Sequence, residues 1–118
     1  MTVQIYHNPR CSKSREALAL LQAQGLTPEV VDYLKTPPTA PELARLATLL
    51  GRPVRALLRS GEAEYESLGL ADPALDDAAL LRAIAAHPVL LQRPIVVHGP
   101  RAVIARPPQR LQALFESP

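Results

Sequence analysis

Cysteine is nearly absent. Cys11 is the only one among 118 residues, so no disulfide can form within the chain, and the cysteine count does not oppose a reducing compartment. Long apolar runs are missing too, and none approaches the ~20 residues that a membrane span requires. The first residues lack the basic-then-apolar plan of a secretory signal. These absences lead us to expect a cytoplasmic protein with no membrane partner. The formal net charge is only +2, too small to imply a nucleic-acid partner. There are no internal repeats and no low-complexity tracts.

What is present suits one globular domain spanning 1–118. Apolar residues make up 47% of the chain, and a domain of this size hides about 65–70% of its unfolded surface without a disulfide or metal. The 13 prolines fall mostly where turns or helix starts are expected, as at Pro9, Pro28, Pro37, Pro38, Pro41 and Pro53, and so punctuate structure.

Val3 to Tyr6 reads as a buried strand, followed by a His7-Asn8-Pro9-Arg10 loop. The spacing predicts a helix over Ser12–Gln24, stopped by Gly25, and a second strand over Glu29–Leu34. Together they form a βαβ unit whose right-handed crossover makes the strands parallel. Thr39 is positioned to cap a helix over Pro41–Leu50, with Glu42 completing a capping box. A short helical stretch over Val54–Arg59 follows, then a helix over Asp77–Ala86 capped by Asp76. Pro94–His98 and Arg101–Ala105 read as a hairpin turned at Gly99-Pro100, and Pro107 opens a last helix to Phe115. The order βαβ, helices, ββα is that of an α/β thioredoxin-like mixed sheet with a central helical insertion at about 36–87.

The chemistry concentrates at Cys11. Arg10, Lys13 and Arg15 surround it, and it falls where a helix begins. A helix start offers unpaired N–H groups and about half a positive charge, which favour thiolate over thiol, as do nearby cations. The same groups attract oxyanions. The polar, cationic flanks do not suit a buried structural cysteine. His7 has two readings, a hydrogen-bond donor to the sulfur or a loop histidine with a local structural bond. Ser12 and Ser14 read as donors to the thiolate or anion; Ser12 reads equally as a plain helix cap, and for Ser14 the functional role is favoured. Arg55 adds to the positive field, and His87 and His98 read as structural or solvated.

The stretch His7-Asn-Pro-Arg-Cys11-Ser-Lys-Ser-Arg15 closely resembles the active-site loop of the glutaredoxin-coupled, ArsC-type arsenate reductases. Val54–Arg59, Tyr65–Leu70, His87–Val97 and Arg106-Pro107 resemble further blocks of that family, in its order. The resemblance implies that Cys11 attacks arsenic, that His7 supports it, and that Arg59, Arg93 and Arg106 hold the oxyanion; the loop itself offers Ser14 as a further oxyanion contact. Guanidinium forks suit an arsenate O–As–O edge and stay charged at any working pH. The fold so implied places a cis-proline at Pro94. No cofactor or metal is implied. The co-substrate would be glutathione, and glutaredoxin the protein partner that restores the thiol. Two alternatives remain: a redox-sensing regulator of the Spx type that binds RNA polymerase, and a glutathione-dependent thiol reductase without arsenate activity. Spx-type proteins usually carry Cys-x-x-Cys at this helix start, whereas the second position here is Ser14.

Overall fold

A computed structural model describes residues 2–115. The described residues form two compact units, one from residues 2–36 and 93–115 and one from residues 37–92.

The first unit is built on a four-stranded sheet. Its strands are β1 (Val3–His7), β2 (Glu29–Asp32), β3 (Ile95–His98) and β4 (Arg101–Ile104), in the order β2-β1-β3-β4. β1 and β2 are parallel, pairing His7 with Asp32 at their carboxyl ends. β3 runs antiparallel to both β1 and β4. Helix α1 (Ser12–Ala23) makes the crossover, as the βαβ reading requires. It closes in a Schellman arrangement, with the Leu26 N–H on the Leu21 carbonyl (3.2 Å) and the Gly25 N–H on that of Gln22 (3.0 Å). Gly25 supplies the left-handed turn at φ 79°. Ala17 and Leu21, one helical turn apart, are fully buried with Val3, Ile5, Val96, Ala105, Leu111 and Leu114. Truncating Leu21 to alanine would cost about 2–5 kcal/mol by the usual transfer and cavity terms.

Two expected elements of this unit differ. The closing helix is a 3₁₀ segment, Pro108–Leu114. Its buried residues Pro108, Leu111 and Leu114 recur every third position, which matches three residues per turn rather than 3.6. β2 ends at Asp32 because Lys35 and Thr36 donate their N–H groups to the Asp32 carbonyl (3.1 and 2.9 Å), which curls Tyr33 and Leu34 into a turn.

The second unit is helical. α2 (Ala40–Leu50) opens on the expected capping box: the Glu42 N–H donates to Thr39 Oγ1 (3.3 Å) and the Thr39 N–H to Glu42 Oε1 (3.2 Å). A short α3 (Ala63–Ser67) follows, and then α4 (Asp77–Ala86), capped by the Asp76 side chain on the Ala79 N–H (2.9 Å). Leu43, Leu46 and Ala47 of α2 and Leu80 and Ile84 of α4 are buried. The stretch expected as a helix to Arg59 is 3₁₀ over Val54–Leu57. It stops because Leu58 turns extended and bridges Leu91, with Arg59 N–H on Leu90 O and Gln92 N–H on Leu57 O, both 2.8 Å. Arg55 fastens the loop after α3, donating to the carbonyls of Leu70 (2.6 Å) and Asp72 (2.9 Å). Among the described residues no helix is long and apolar enough to cross a membrane.

Candidate active site

The loop after β1 is a tight turn held by its own backbone. The Cys11 N–H donates to the Asn8 carbonyl (3.0 Å), and Asn8 Oδ1 accepts the Arg10 N–H (3.0 Å). Arg15 reaches back from α1 to the Pro9 carbonyl (2.9 Å). Cys11 is thereby set as the N-cap of α1, with φ −94° and ψ 122°, and it makes no side-chain cap bond. Its sulfur, partly exposed, meets the orphan N–H groups of the first helical turn.

The thiol is held below its ordinary pKa. Burial pushes it up, but the Arg93 guanidinium hydrogen-bonded to the sulfur, the backbone N–H groups of Ser14 and Lys13, and the Arg93 charge together outweigh that. The thiolate at this helix start is thus met by one formal charge and two oriented dipoles. Arg93 shows the reciprocal effect. Burial pulls its pKa down, and contact with Cys11 and Tyr33 more than compensates. Tyr33 is fully buried, and its phenol lies within electrostatic reach of Arg93.

Below the loop, His7 and Ser14 are both buried. His7 Nδ1 lies 2.6 Å from Ser14 Oγ, and Ser14 Oγ also accepts the Asn8 N–H at 3.0 Å. Burial and the Arg15 charge hold the imidazole below its ordinary pKa against the opposing field of Asp32. His7 is therefore neutral near pH 7. Its ring nitrogen Nδ1 engages Ser14, whose backbone N–H is one of the dipoles that favour the Cys11 thiolate.

Of the residues expected at the site, Cys11, His7, Ser14 and Arg93 come together here. Arg93 precedes a cis bond to Pro94, as expected, and Arg106 precedes a second cis bond, to Pro107. The Ala105 N–H donates to the Pro94 carbonyl (2.9 Å), so the hairpin pairing runs past the strand ends and brings Arg93 and Arg106 to the same end of β3 and β4. Arg106 is exposed there. Arg59 belongs to the helical unit, where its Nε lies 3.5 Å from Glu62 Oε1. Of the cations read as field contributors, Arg15 proves to be a clamp on the loop and Arg55 a clamp on the 70–72 carbonyls. The sequence reading missed Tyr33. Its only signal was an aromatic residue directly after the strand that pairs with the one leading into the cysteine loop. Among the described residues no group of His, Cys, Asp and Glu could hold a metal ion.

The ArsC family model matches residues 6–114. The chain belongs to the ArsC family. It is 49% identical over 114 residues to a protein of Neisseria meningitidis serogroup A named arsenate reductase, an alignment that takes in 96% of this chain and 97% of that relative. It is also 50% identical over 110 residues, covering 92% of each, to an uncharacterised protein of Escherichia coli named YfgD. Among solved structures, that of an arsenate reductase from Vibrio cholerae superposes with a TM-score of 0.94 at 50% identity, covering 97% of this chain and 98% of that one. The thioredoxin-like fold of this ArsC chain is thus shared with its relatives over nearly the whole length.

Proposed function

We propose that this chain is an arsenate reductase that uses Cys11 as nucleophile, with glutathione and glutaredoxin as the source of electrons. The observation that carries the reading is the partly exposed Cys11 thiol set at the N-cap of α1, where the Arg93 charge favours its thiolate. A lowered thiol pKa supplies nucleophile at neutral pH. Arg93 and Arg106 bring two guanidinium groups to one end of the hairpin, and such forks suit tetrahedral oxyanions. In this reading Arg59 is the third oxyanion ligand. The names carried by several relatives point to the same substrate.

The chemistry follows from the lone thiol. The Cys11 thiolate attacks As(V), an S–As bond forms, and one arsenate oxygen leaves as water. A glutathione thiolate then provides the second sulfur. As(V) gains two electrons and becomes As(III), while the two sulfurs are oxidised to a mixed disulfide between Cys11 and glutathione. For each arsenate, two thiols are consumed, and one arsenite, one disulfide and one water are formed. Glutaredoxin restores Cys11 by thiol–disulfide exchange. A redox-switch reading finds less support, since Ser14, where such a switch would carry its second cysteine, is buried and bonded to His7 and Asn8.

The test is steady-state arsenite production with glutathione and glutaredoxin, followed by intact-mass spectrometry without glutaredoxin. A glutathione adduct on Cys11 that glutaredoxin erases is the expected result. Full turnover with thioredoxin alone, and no glutathione in the assay, would overturn the mechanism.

A further inference from the structure

The cysteine loop borders a cavity of about 360 Å³ lined by Asn8, Pro9, Arg10, Asp32, Leu34 and Lys35. That volume lies within the range of small-molecule sites. Its position follows from topology. β1 and β2 are parallel neighbours with His7 opposite Asp32, so the residues just beyond their carboxyl ends, Asn8 to Arg10 and Leu34 to Lys35, meet on one side. Open α/β sheets bind their ligands at that edge. Arg10 is bonded in sequence to Cys11, which places the rim of the cavity beside the nucleophile's own backbone.

The lining is chemically mixed in a particular way. Two cations, Arg10 and Lys35, stand with one carboxylate, Asp32, and the apolar surfaces of Pro9 and Leu34 lie between them. An arsenate ion calls for positive charge alone, and Asp32 would repel it. A molecule that carries an ammonium group together with carboxylates satisfies all three charges. Glutathione has that chemistry: its γ-glutamyl end is an amino-acid zwitterion, its glycyl end bears a second carboxylate, and methylene groups join them.

We propose that this cavity is the docking subsite for the amino-acid end of the attacking thiol, with Asp32 taking the ammonium and Lys35 and Arg10 the carboxylates, so that the thiol is delivered to Cys11 from the β2 side of the loop. The inference rests on the reading above that the second sulfur comes from a small external thiol. It adds which residues select that thiol.

The test uses exchange without arsenic. The Cys11 thiolate attacks one sulfur of glutathione disulfide, the S–S bond breaks, a Cys11–glutathione disulfide forms and glutathione thiolate leaves. The same reaction with hydroxyethyl disulfide, which is uncharged, reports thiolate reactivity alone. The quantity of interest is the ratio of the two rates in the full-length chain. Lys35→Glu and Asp32→Asn are each expected to lower that ratio about 3- to 5-fold, the scale of one exposed ion pair. High salt should compress the wild-type preference. Lys35 is exposed, so its substitution spares the fold, and any change in Cys11 reactivity on Asp32→Asn cancels in the ratio. An unchanged ratio in both variants, or an equal loss with both disulfides, would overturn the subsite. If the wild-type preference is present but no arsenite is formed in the turnover assay, the reductase reading falls and the subsite stands.

Discussion

The imidazole Nδ1 of His7 and the hydroxyl of Ser14 stand 2.6 Å apart across seven residues of sequence. The pair ties the last residue of β1 to the first turn of α1, and with the Asn8 N–H on the same oxygen it sets the angle at which the helix leaves the strand. Ser14→Ala removes the partner of two buried groups at once. We expect a loss of about 1–3 kcal/mol of stability, the cost of leaving buried polar groups unsatisfied, measurable by urea denaturation. The Cys11 alkylation midpoint should also move to higher pH, because the first turn of α1, whose N–H dipoles favour the thiolate, would no longer be held in place. Unchanged stability together with an unchanged midpoint would show that the pair is incidental.

Acid should reach the fold through His7. Its folded pKa lies below the unfolded value of ~6.5. The contribution is therefore fully present above about pH 6.5 and is lost progressively as pH falls through the folded pKa, since the unfolded chain takes up the proton first. We expect the wild-type unfolding midpoint to decline below about pH 6.5, and the His7→Gln variant to decline less over the same window. Parallel pH profiles for the two proteins would count against this assignment.

Local rules carried far in the sequence. The capping box at Thr39, the glycine stop after α1 and the Asp76 cap were legible because each depends on residues within three or four positions. The cysteine loop was legible because thiolate chemistry at a helix start needs only neighbours in the chain. The 3₁₀ closing segment was not, because a two-contact pattern at Leu111 and Leu114 fits both helical periods until Pro108 is seen to be buried as well. Arg55 and Tyr33 were hidden for another reason. Their partners, Leu70 and Asp72 in one case and Arg93 in the other, are remote in sequence, and only the folded chain brings them into contact.

Arg55 is therefore expected to matter for stability rather than turnover. Its guanidinium spans two carbonyls of the 70–72 loop, and hydrogen bonds to a charged group at a partly buried site are worth more than neutral ones. Arg55→Ala should lower stability by about 1–2 kcal/mol, read from thermal or urea unfolding, with arsenite production per folded molecule nearly unchanged. A large loss of turnover at full stability would instead place Arg55 among the oxyanion-binding residues.

Arg93 carries the opposite expectation. It donates to the Cys11 sulfur and contacts Tyr33, so Arg93→Ala should raise the thiol midpoint in an alkylation–pH titration and lower turnover by roughly 10²–10³, the scale of losing one preorganised charged donor. Arg93→Lys should recover part of the midpoint, because the charge remains, but little of the turnover, because a single ammonium cannot offer the planar fork. The folded thiol pKa lies below the unfolded value of ~8.5. The stability it contributes is therefore complete above that pH in the wild type and fades as pH falls through the folded pKa, and the Arg93→Ala variant should show a smaller rise of stability over the same range. Tyr33→Phe separates positioning from packing, since it keeps the buried ring and removes only the hydroxyl. If the phenol holds the guanidinium on the sulfur, the thiol midpoint rises in this variant while unfolding stability changes little, and the shift disappears when Tyr33→Phe is made in the Arg93→Ala background. A midpoint shift that persists there would mean that Tyr33 acts on Cys11 by some route other than Arg93.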